Sequence, residues 1–399
     1  MHDGPGQPDG GANRSPRYLR APVRPAPSAS YDPARARNGD SAGRHQRRPA
    51  IGGGRAAYAA LDLGTNNCRL LVAVPLAGGR FRVVDAFSRI VRLGEGMATS
   101  GRLSPAAMDR AVEALAVCAA KMATHDLAGK RLIATEACRS AANGDEFLAR
   151  VARETGLHLE IVDRQTEARL AAEGCGSLMD RQAEAAVLFD IGGGSSELIL
   201  VNRRRATGRR ISEQIAAWTS MPVGVVTLSE RHGGRHVTRA GFDAMVADVL
   251  EQLAAFEQRG ALADVWHPAR THLLGTSGTV TTIAGVHLGL ARYDRRKVDG
   301  VWLSGGQIDT VIDALIAMDY EARAGNPCIG RERADLVLAG CAILQAIRLT
   351  WPSPRLRVAD RGLREGILSE LMHEAGEWRP RRQHAHQRHP AGAGPGGRP

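Results

Sequence analysis

Apolar residues recur along the middle of the chain with two different periods, and these two patterns alternate. Short runs such as AYAALDL (57–63) and CRLLVAV (68–74) are almost continuously apolar, as expected for buried strands. Longer segments have helical spacing, and SPAAMDRAVEALAVCAAKMATH (104–125) also opens with a Ser N-cap followed by Pro. The alternation of strands and helices predicts an α/β fold.

The same patterns predict most other elements between the two ends of the chain. Predicted strands are FRVVDAFSRIVRL (81–93), RLIATEA (131–137), HLEIVD (158–163), AAVLFDI (185–191) and ELILVNR (197–203). Predicted helices are GDEFLARVARETG (144–156), QTEARLAAEGCGSLM (165–179), FDAMVADVLEQLAAFEQRG (242–260), SGGQIDTVIDALIAM (304–318) and RADLVLAGCAILQAIRLT (333–350). THLLGTSGTVTTIAG (271–285) is predicted to be a strand, a Gly/Ser/Thr loop and a helix.

One stretch of the chain repeats after 128 residues. LDLGTNNCRLLVA (61–73) aligns with FDIGGGSSELILV (189–201), so that Asp62 falls on Asp190 and Gly64 falls on Gly192. Each copy is an apolar strand, an Asp-apolar-Gly sequence, a small polar turn and a second apolar strand. The repeat predicts two related domains that each contribute one hairpin to a shared cleft.

The turns of this repeat have the chemistry of a phosphate site. Glycines allow the backbone to approach a ligand closely, and inward N–H groups with Asn and Ser side chains bind phosphate oxygens. A third loop opens a helix, whose free N–H groups favour an anion. The candidate phosphate ligands are Asn66, Gly192, Gly193, Gly194, Ser195, Gly275, Ser277 and Gly278. Asp62 and Asp190, at strand ends, are candidate ligands of a divalent cation, for which Mg²⁺ is the natural choice.

Length and composition agree with two domains and a sizeable core. The chain has 399 residues, 43% of them apolar, and no apolar run approaches the roughly 20 residues that span a bilayer. None of its six cysteines forms a CxxC pair, which argues against a zinc site or a disulfide framework. Since the N-terminus also lacks the apolar centre of a secretory signal, the sequence predicts a reduced, cytoplasmic protein without membrane contact.

The net charge of +11 is concentrated at the two ends. Residues 1–55 contribute +6 and residues 373–399 contribute +3, so only +2 remains for the middle. Both ends are predicted to be disordered, and the histidines of the second end are assigned to a polar tail in preference to a metal site. These histidines are His384, His386 and His389. The nearly balanced middle argues against specific nucleic-acid binding.

The predicted domains follow from these boundaries. A basic tail at 1–55 precedes a first domain at 56–181 and a second at 182–372, with a further tail at 373–399. The final helix of the second domain is left free to pack back on the first.

A series of motifs between about residues 57 and 370 resembles the Ppx/GppA phosphatases, the exopolyphosphatases and guanosine pentaphosphate phosphohydrolases. In chain order they are ALDLGTNNCRLLV, RIVRLGEGM, ATEACRSAANGDEFL, EIVDRQTEARL, LFDIGGGSSELIL, MPVGVVTLSE, GTSGTVTTIA, RADLVLAGCAIL and VADRGLREGIL. Members of that family have the actin-like ATPase fold (ASKHA, ribonuclease H-like). The resemblance therefore implies two α/β domains with a cleft between them.

The resemblance also implies a catalytic base. Glu167 in EIVDRQTEARL matches the family's catalytic glutamate, which would take a proton from the water that attacks the terminal phosphorus. This copy of the motif departs from the family's usual pattern. Thr166 replaces the first of two adjacent glutamates, and Asp163-Arg164 replaces a common Ser-Gly.

Further roles are implied at other matching positions. Glu197 and Asp190 flank the second phosphate loop and are expected to bind Mg²⁺ or orient the water, with Asp62 as a further metal ligand. Arg92 and Arg139 match basic positions of the first domain, and their planar guanidinium groups suit phosphate oxygens.

The implied activity is hydrolysis of terminal phosphoanhydride bonds. Inorganic polyphosphate is favoured over guanosine pentaphosphate as the substrate, because no base-binding motif is evident. Many longer relatives add a C-terminal helical domain of the HD type, which is expected to be absent here. Relatives often dimerise, so the sequence leaves open whether this protein forms a homodimer.

Two other functions remain as alternatives. A kinase or ATPase of the same fold also carries two phosphate loops, but the TEARL, ATEACR and RADLVLAG motifs favour a phosphatase. A sensor that binds guanosine tetra- or pentaphosphate without turnover would keep the loops but would need no base.

Overall fold

The computed structural model describes residues 56–204, 206, 208 and 210–378. The predictions for the two tails concern residues 1–55 and 379–399, including the three histidines, and these lie outside the described residues. The strands are β1 (Ala57–Leu63), β2 (Asn67–Leu76), β3 (Arg80–Ile90), β4 (Leu127–Ala134), β5 (Glu160–Ile161), β6 (Ala185–Ile191), β7 (Ser196–Asn202), β8 (Ile215–Met221), β9 (Thr271–Thr276), β10 (Trp302–Ser304) and β11 (Arg355–Val358).

Helices occupy most of the connections between these strands. They are α1 (Met97–Ser100), α2 (Pro105–Ala123), α3 (Glu136–Ser140), α4 (Gly144–Thr155), α5 (Arg164–Cys175), α6 (Val225–His232), α7 (Arg239–Ala254), α8 (Ser277–His287), α9 (Arg295–Val298), α10 (Gly305–Ala317), α11 (Tyr320–Gly325), α12 (Val337–Thr350) and α13 (Leu363–Glu374). Short 3₁₀ turns lie at Gly176–Leu178, Ile211–Gln214 and Glu257–Gly260.

The strands form two mixed sheets with matching topology. The first sheet has the order β3-β2-β1-β4-β5, and the second has the order β10-β11-β9-β6-β7-β8. In each sheet an antiparallel three-strand meander continues into parallel strands, β4 beside β1 and β9 beside β6. The second sheet therefore repeats the first and adds β10 at its edge, and the predicted α/β fold of the actin-like type is confirmed.

The 128-residue repeat of the sequence is visible in the hydrogen bonds of the two hairpins. The Gly64 N–H donates to the Asn67 carbonyl at 2.9 Å, and the Gly192 N–H donates to the Ser195 carbonyl at the same distance. Asp62 lies opposite Arg69 across the first hairpin, and Asp190 lies opposite Glu197 across the second. The turns thus have the same geometry but differ in one charged position.

Two helices lie between the sheets. Ala168, Ala172 and Cys175 of α5 pack on Leu188 of the second sheet. Ile367, Leu368 and Met372 of α13 pack on the first sheet together with Leu170 of α5.

Glycines bring these two helices into close contact. A Cβ on Gly174 of α5 would lie 1.9 Å from the Gly362 carbonyl oxygen, and one on Gly366 of α13 would lie 2.0 Å from the Leu170 oxygen. The crossing therefore requires glycine on both helices, and it holds the start of α13 beside the cleft.

Some predicted boundaries differ from the structure. The strand predicted at 81–93 ends at Ile90, because the Asn66 carbonyl accepts the N–H groups of both Val91 and Arg92 and the chain turns there. The strand predicted at 158–163 is only two residues long. The helix predicted at 165–179 ends at Cys175, and the one predicted at 242–260 ends at Ala254.

The end of the described chain extends beyond the predicted start of the second tail. Helix α13 continues to Glu374, and the Trp378 indole N–H donates to the Leu76 carbonyl at 3.0 Å. Residues 373–378 are therefore part of the folded structure. The division into domains at residues 181 and 182 stays a prediction.

None of the helices in the described part of the chain combines the length and apolar character that crossing a bilayer requires. All six cysteines are buried and free.

Candidate active site

A cleft of about 640 Å³ lies where the first hairpin turn of each sheet meets that of the other. Its walls are the two hairpin turns, the start of α8 and the segment that joins β11 to α13. Eleven of the site residues predicted from the sequence line it: Asp62, Asn66, Glu167, Asp190, Gly192, Gly193, Gly194, Ser195, Glu197, Ser277 and Gly278. The structure thus brings together residues that are up to 216 positions apart in the chain.

The two hairpin turns touch each other at the bottom of the cleft. A Cβ on Gly193 would lie 3.0 Å from Thr65 Cβ, and one on Gly194 would lie 2.9 Å from Thr65 Oγ1. The side-chain oxygens of Asn66 and Asn67 are buried without a hydrogen-bond partner among the described residues. Because buried polar atoms normally find a partner, these two oxygens indicate that a ligand or water completes the site.

Glu167 is held by an arginine that was predicted to bind phosphate. Both terminal nitrogens of Arg139 donate to Glu167 Oε2 at 3.1 Å, and one of them also donates to Glu136 Oε2 at 2.6 Å. Arg164 and Ser140 donate to the same Glu136 carboxylate. Arg139 is not among the lining residues, and its guanidinium orients the candidate base; phosphate binding by Arg139 stays a prediction.

All four carboxyl groups that were predicted for the site have raised pKa values. Burial, followed by repulsion from Glu197, raises the pKa of Glu167 well above 4.5, although Arg139 opposes the shift. Burial and the charge of Asp190 raise the pKa of Glu197 to about 7, and burial raises that of Asp190 to about 6. The pKa of Asp62 is also raised by burial. Groups with such pKa values accept or hold a proton near neutral pH, as acid–base catalysis requires.

A Glu197→Gln substitution is expected to change how stability depends on pH. The unfolded chain releases the Glu197 proton near pH 4.5 but the folded protein keeps it until about pH 7. The free energy of unfolding therefore falls as pH rises between these values, by at most about 3 kcal/mol from this group. Urea unfolding at pH 4.5 and pH 7.5 should show a smaller fall in the variant.

Glu251→Gln is the matched control for this experiment. Glu251 is exposed on α7, away from the cleft, so the same chemical change there should leave the pH dependence as in the wild type. Equal falls in the unfolding free energy for wild type and Glu197→Gln would contradict a raised pKa at Glu197.

Asp62 and Asp190 supply the type of donor that Mg²⁺ prefers. They lie at equivalent ends of β1 and β6, and both line the cleft. No three His, Cys, Asp or Glu residues of the described chain come together as a ready-made metal site, and Glu197 accepts hydrogen bonds from Ser195 and Ser220. Mg²⁺ commonly takes one or two carboxylates together with phosphate oxygens. The donors therefore fit an ion shared with a phosphate ligand, and Mg²⁺ binding stays a prediction.

Two other predicted phosphate ligands lie outside the cleft lining. Arg92 forms a two-pronged ion pair with Asp335 at 2.9 and 3.0 Å, which links the end of the first meander to the segment before α12. Gly275 lies within β9, where a Cβ would meet the Phe189 ring at 2.6 Å and Val280 at 2.7 Å. Arg92 thus joins the two halves of the site, and Gly275 permits close packing beneath the site.

The start of α8 has the geometry predicted for an anion site. Its N-cap residue Thr276 makes no side-chain capping hydrogen bond, so the first N–H groups of the helix remain available beside Ser277 and Gly278. Ser277 has φ of 79°, and among the described non-glycine residues only Arg92 shares a positive value. Such strain is often found at ligand sites.

None of the arginines that line the cleft was assigned from the sequence, and among the described residues these are Arg69, Arg295, Arg333, Arg361 and Arg364. Arg69, Arg333 and Arg364 line the cleft, and their side chains form no hydrogen bond or ion pair with the residues that the structure describes. The guanidinium of Arg333 approaches Gly278 at the start of α8. Arg69, Arg333 and Arg364 belong to the motifs CRLLV, RADLVLAG and DRGLREG. The sequence feature that could have identified them is therefore the presence of an arginine inside each motif. Their free guanidinium groups can bind a polyanion.

The two sheets of matching topology, and the cleft where their hairpin turns meet, define a protein of the actin-like fold class. A model of the Ppx/GppA phosphatase family matches residues 72–375. The chain belongs to this family, as its motifs indicated.

Individual relatives agree with this assignment. The chain is 29% identical over 329 residues to "Exopolyphosphatase 2" of Mycobacterium tuberculosis, which covers 78% of this chain and 98% of the relative. The structure of the Aquifex aeolicus PPX-GPPA enzyme superposes with a TM-score of 0.63 at 26% identity and covers 79% of this chain and 99% of that one. The structure of a Cytophaga hutchinsonii exopolyphosphatase superposes with a TM-score of 0.71 and covers 80% of this chain and 98% of that one. At 23% identity, this similarity supports the fold alone.

Proposed function

We propose that the protein is an exopolyphosphatase, which hydrolyses the terminal phosphoanhydride bond of inorganic polyphosphate and releases orthophosphate. The observation that supports this most strongly is a largely buried glutamate, Glu167, held by Arg139 in a cleft with three arginines that have no ion-pair partner among the described residues. A base with a raised pKa and a binding site for a polyanion are thereby combined. The similarity to the mycobacterial exopolyphosphatase agrees with this substrate class.

The cleft binds the chain end through several kinds of donor. The terminal phosphates lie against the turns at Gly192–Ser195 and Thr65–Asn67, whose glycines allow close approach of the backbone. The guanidinium groups of Arg69, Arg333 and Arg364 offset the charge of the phosphate oxygens. These contacts hold the terminal phosphorus in front of Glu167.

Glu167 acts as the general base. Its carboxylate takes a proton from a water molecule while the water oxygen forms a bond to the terminal phosphorus. The bond from this phosphorus to the bridging oxygen breaks, and the electron pair leaves with the shortened chain. Orthophosphate departs, and no covalent enzyme intermediate is needed.

Other groups of the site stabilise the charge that spreads over the transferring phosphoryl group. Donors aimed at those oxygens in a largely dry cleft are the main means of accelerating such reactions. Ser195 holds the Glu197 carboxylate at 2.7 Å, so Glu197 is fixed in a position to orient the water. A Mg²⁺ ion bound by Asp62 and Asp190 would supply further positive charge to the phosphate oxygens.

The proposal is tested by measuring orthophosphate release with Mg²⁺ from long-chain polyphosphate, guanosine pentaphosphate and ATP. Polyphosphate is expected to have the highest kcat/KM, because the arginines of the cleft can bind several successive phosphates of one chain. A higher kcat/KM for guanosine pentaphosphate would reassign the substrate within the family. Binding of these compounds without release of orthophosphate would refute the hydrolase and favour a nucleotide sensor.

A further inference from the structure

A second cationic cluster lies at the outer edge of the second sheet. The guanidinium carbons of Arg355 and Arg357 lie 4.7 and 4.8 Å from the centre of the Trp302 ring. Trp302 is on the edge strand β10 and pairs directly with Arg357 of β11. The buried His272 meets the indole edge-on at 5.1 Å, which fixes the ring that both arginines stack on. The two charges are therefore held close together by a rigid support.

This cluster has more positive charge than its neighbours balance. Asp180 pairs with Arg355 at 2.9 Å and accepts a hydrogen bond from Arg203 through its backbone oxygen. Arg357 has no hydrogen bond or ion pair with any residue that the structure describes, and its Nε is buried. Burial lowers the pKa of His272 to about 4, so it contributes no charge at neutral pH. Asp299 also acts on Arg357 electrostatically, but it is the ion-pair partner of Arg361. The four guanidinium groups of Arg203, Arg355, Arg357 and Arg361 thus share the two carboxylates of Asp180 and Asp299, and their mutual repulsion would be relieved by an anion.

The cluster lies within reach of the cleft. Arg355 and Arg357 lie on one face of β11, which ends at Val358. Arg361, three residues beyond the end of the strand, lines the cleft, forms an ion pair with Asp299 and donates to Ser177 Oγ. At roughly 3.3 Å per residue, the chain from Arg355 to Arg361 covers at most about 20 Å. A polyanion that leaves the cleft beside Arg361 can therefore reach the outer cluster.

We propose that Trp302, Arg355 and Arg357 form an outer subsite that binds the distal phosphates of a polyphosphate chain whose terminal phosphate lies in the cleft. The inference rests on the proposed exopolyphosphatase function and adds to it a preference for long chains. A chain of only a few phosphates fills the cleft and does not reach this subsite. Substitution of Arg357 is expected to weaken polyphosphate binding most, because its guanidinium has no competing ion pair among the described residues.

The test is an Arg357→Gln substitution assayed with two substrates. The KM for long-chain polyphosphate should rise about fivefold to tenfold, the loss expected for one charge-assisted contact that is partly exposed. The kcat for the long chain and the KM for tripolyphosphate should stay as in the wild type. Arg357→Lys should retain part of the affinity, since it keeps the charge but not the planar fork.

Arg270→Gln is the matched control, because Arg270 is an exposed arginine directly before β9 of the same sheet and pairs with Glu184. An equal rise in KM for both variants, or an equal rise for both substrates, would overturn the outer subsite while leaving the hydrolase intact. Calorimetric binding of long-chain polyphosphate, with thermal melting to confirm the fold, separates the two proposals. If the wild type releases no orthophosphate, the proposed function fails, and unchanged binding by Arg357→Gln would then sink the subsite as well.

Discussion

Replacing Glu167 with Gln is expected to lower kcat for orthophosphate release by about 10²- to 10⁴-fold, the usual contribution of a general base. Gln keeps the shape and can still accept the hydrogen bonds from Arg139, so substrate binding should change little. The pH profile gives a second readout. Because burial and the neighbouring Glu197 raise the pKa of Glu167, the wild-type rate should increase with pH in a range where an ordinary glutamate is already ionised. This acidic limb should disappear in the variant.

Glu173→Gln provides the control on the same helix. Glu173 lies outside the cleft lining, and its carboxylate accepts a hydrogen bond from the Ser212 N–H at 3.2 Å. Orthophosphate release should be close to that of the wild type in this variant. Retention of full kcat by Glu167→Gln would exclude Glu167 as the base and leave the site without its proposed mechanism.

Gly174→Ala is expected to destabilise the protein strongly. The added Cβ would lie 1.9 Å from the Gly362 carbonyl oxygen and 2.6 Å from its carbon, and both are backbone atoms that cannot rotate away. Helices α5 and α13 would have to separate, at a cost of about 3 kcal/mol in the free energy of unfolding. Since Gly362 and Arg364 line the cleft, activity should also fall. Urea unfolding and orthophosphate release measure the two effects.

Gly306→Ala is the control that tests whether the loss of stability comes from the contact between α5 and α13. Gly306 lies in the first turn of α10, and no atom lies within 4 Å of its added Cβ. The free energy of unfolding should stay the same or rise by up to about 1 kcal/mol, because alanine favours the helix. A similar loss of stability in both variants would mean that the α5–α13 contact is not especially tight.

The sequence predicted the parts of this molecule that depend on local pattern. The repeat of Asp-apolar-Gly placed Asp62 and Asp190 at equivalent strand ends, and the structure shows the same turn hydrogen bond in both hairpins. The Ser104 N-cap and Pro105 of α2 were also correctly identified, with the Ser104 side chain accepting the Ala107 N–H. Such features can be predicted from the sequence because they depend on interactions between residues that are close together in the chain.

Features that depend on distant contacts were not predicted. Nothing near Arg139 in the sequence indicates that its guanidinium meets Glu167, which is 28 positions away. The strand β11 was missed because RLRV alternates arginine with apolar residues and is only four residues long. The unpaired state of Arg333 and Arg364 depends on which carboxylates the fold leaves out of reach.

The two hairpins also have an evolutionary consequence. A chain that duplicated one half and kept both copies unchanged would have a symmetric cleft, able to hold a ligand in two opposite orientations. Here the copies differ in charge at one position, so that Arg69 faces Asp62 in the first and Glu197 faces Asp190 in the second. The first hairpin thereby sets a positive group opposite a carboxyl group, whereas the second sets two carboxyl groups opposite each other. This difference makes the two walls of the cleft unequal, so that a ligand with two different ends would be bound in one preferred orientation.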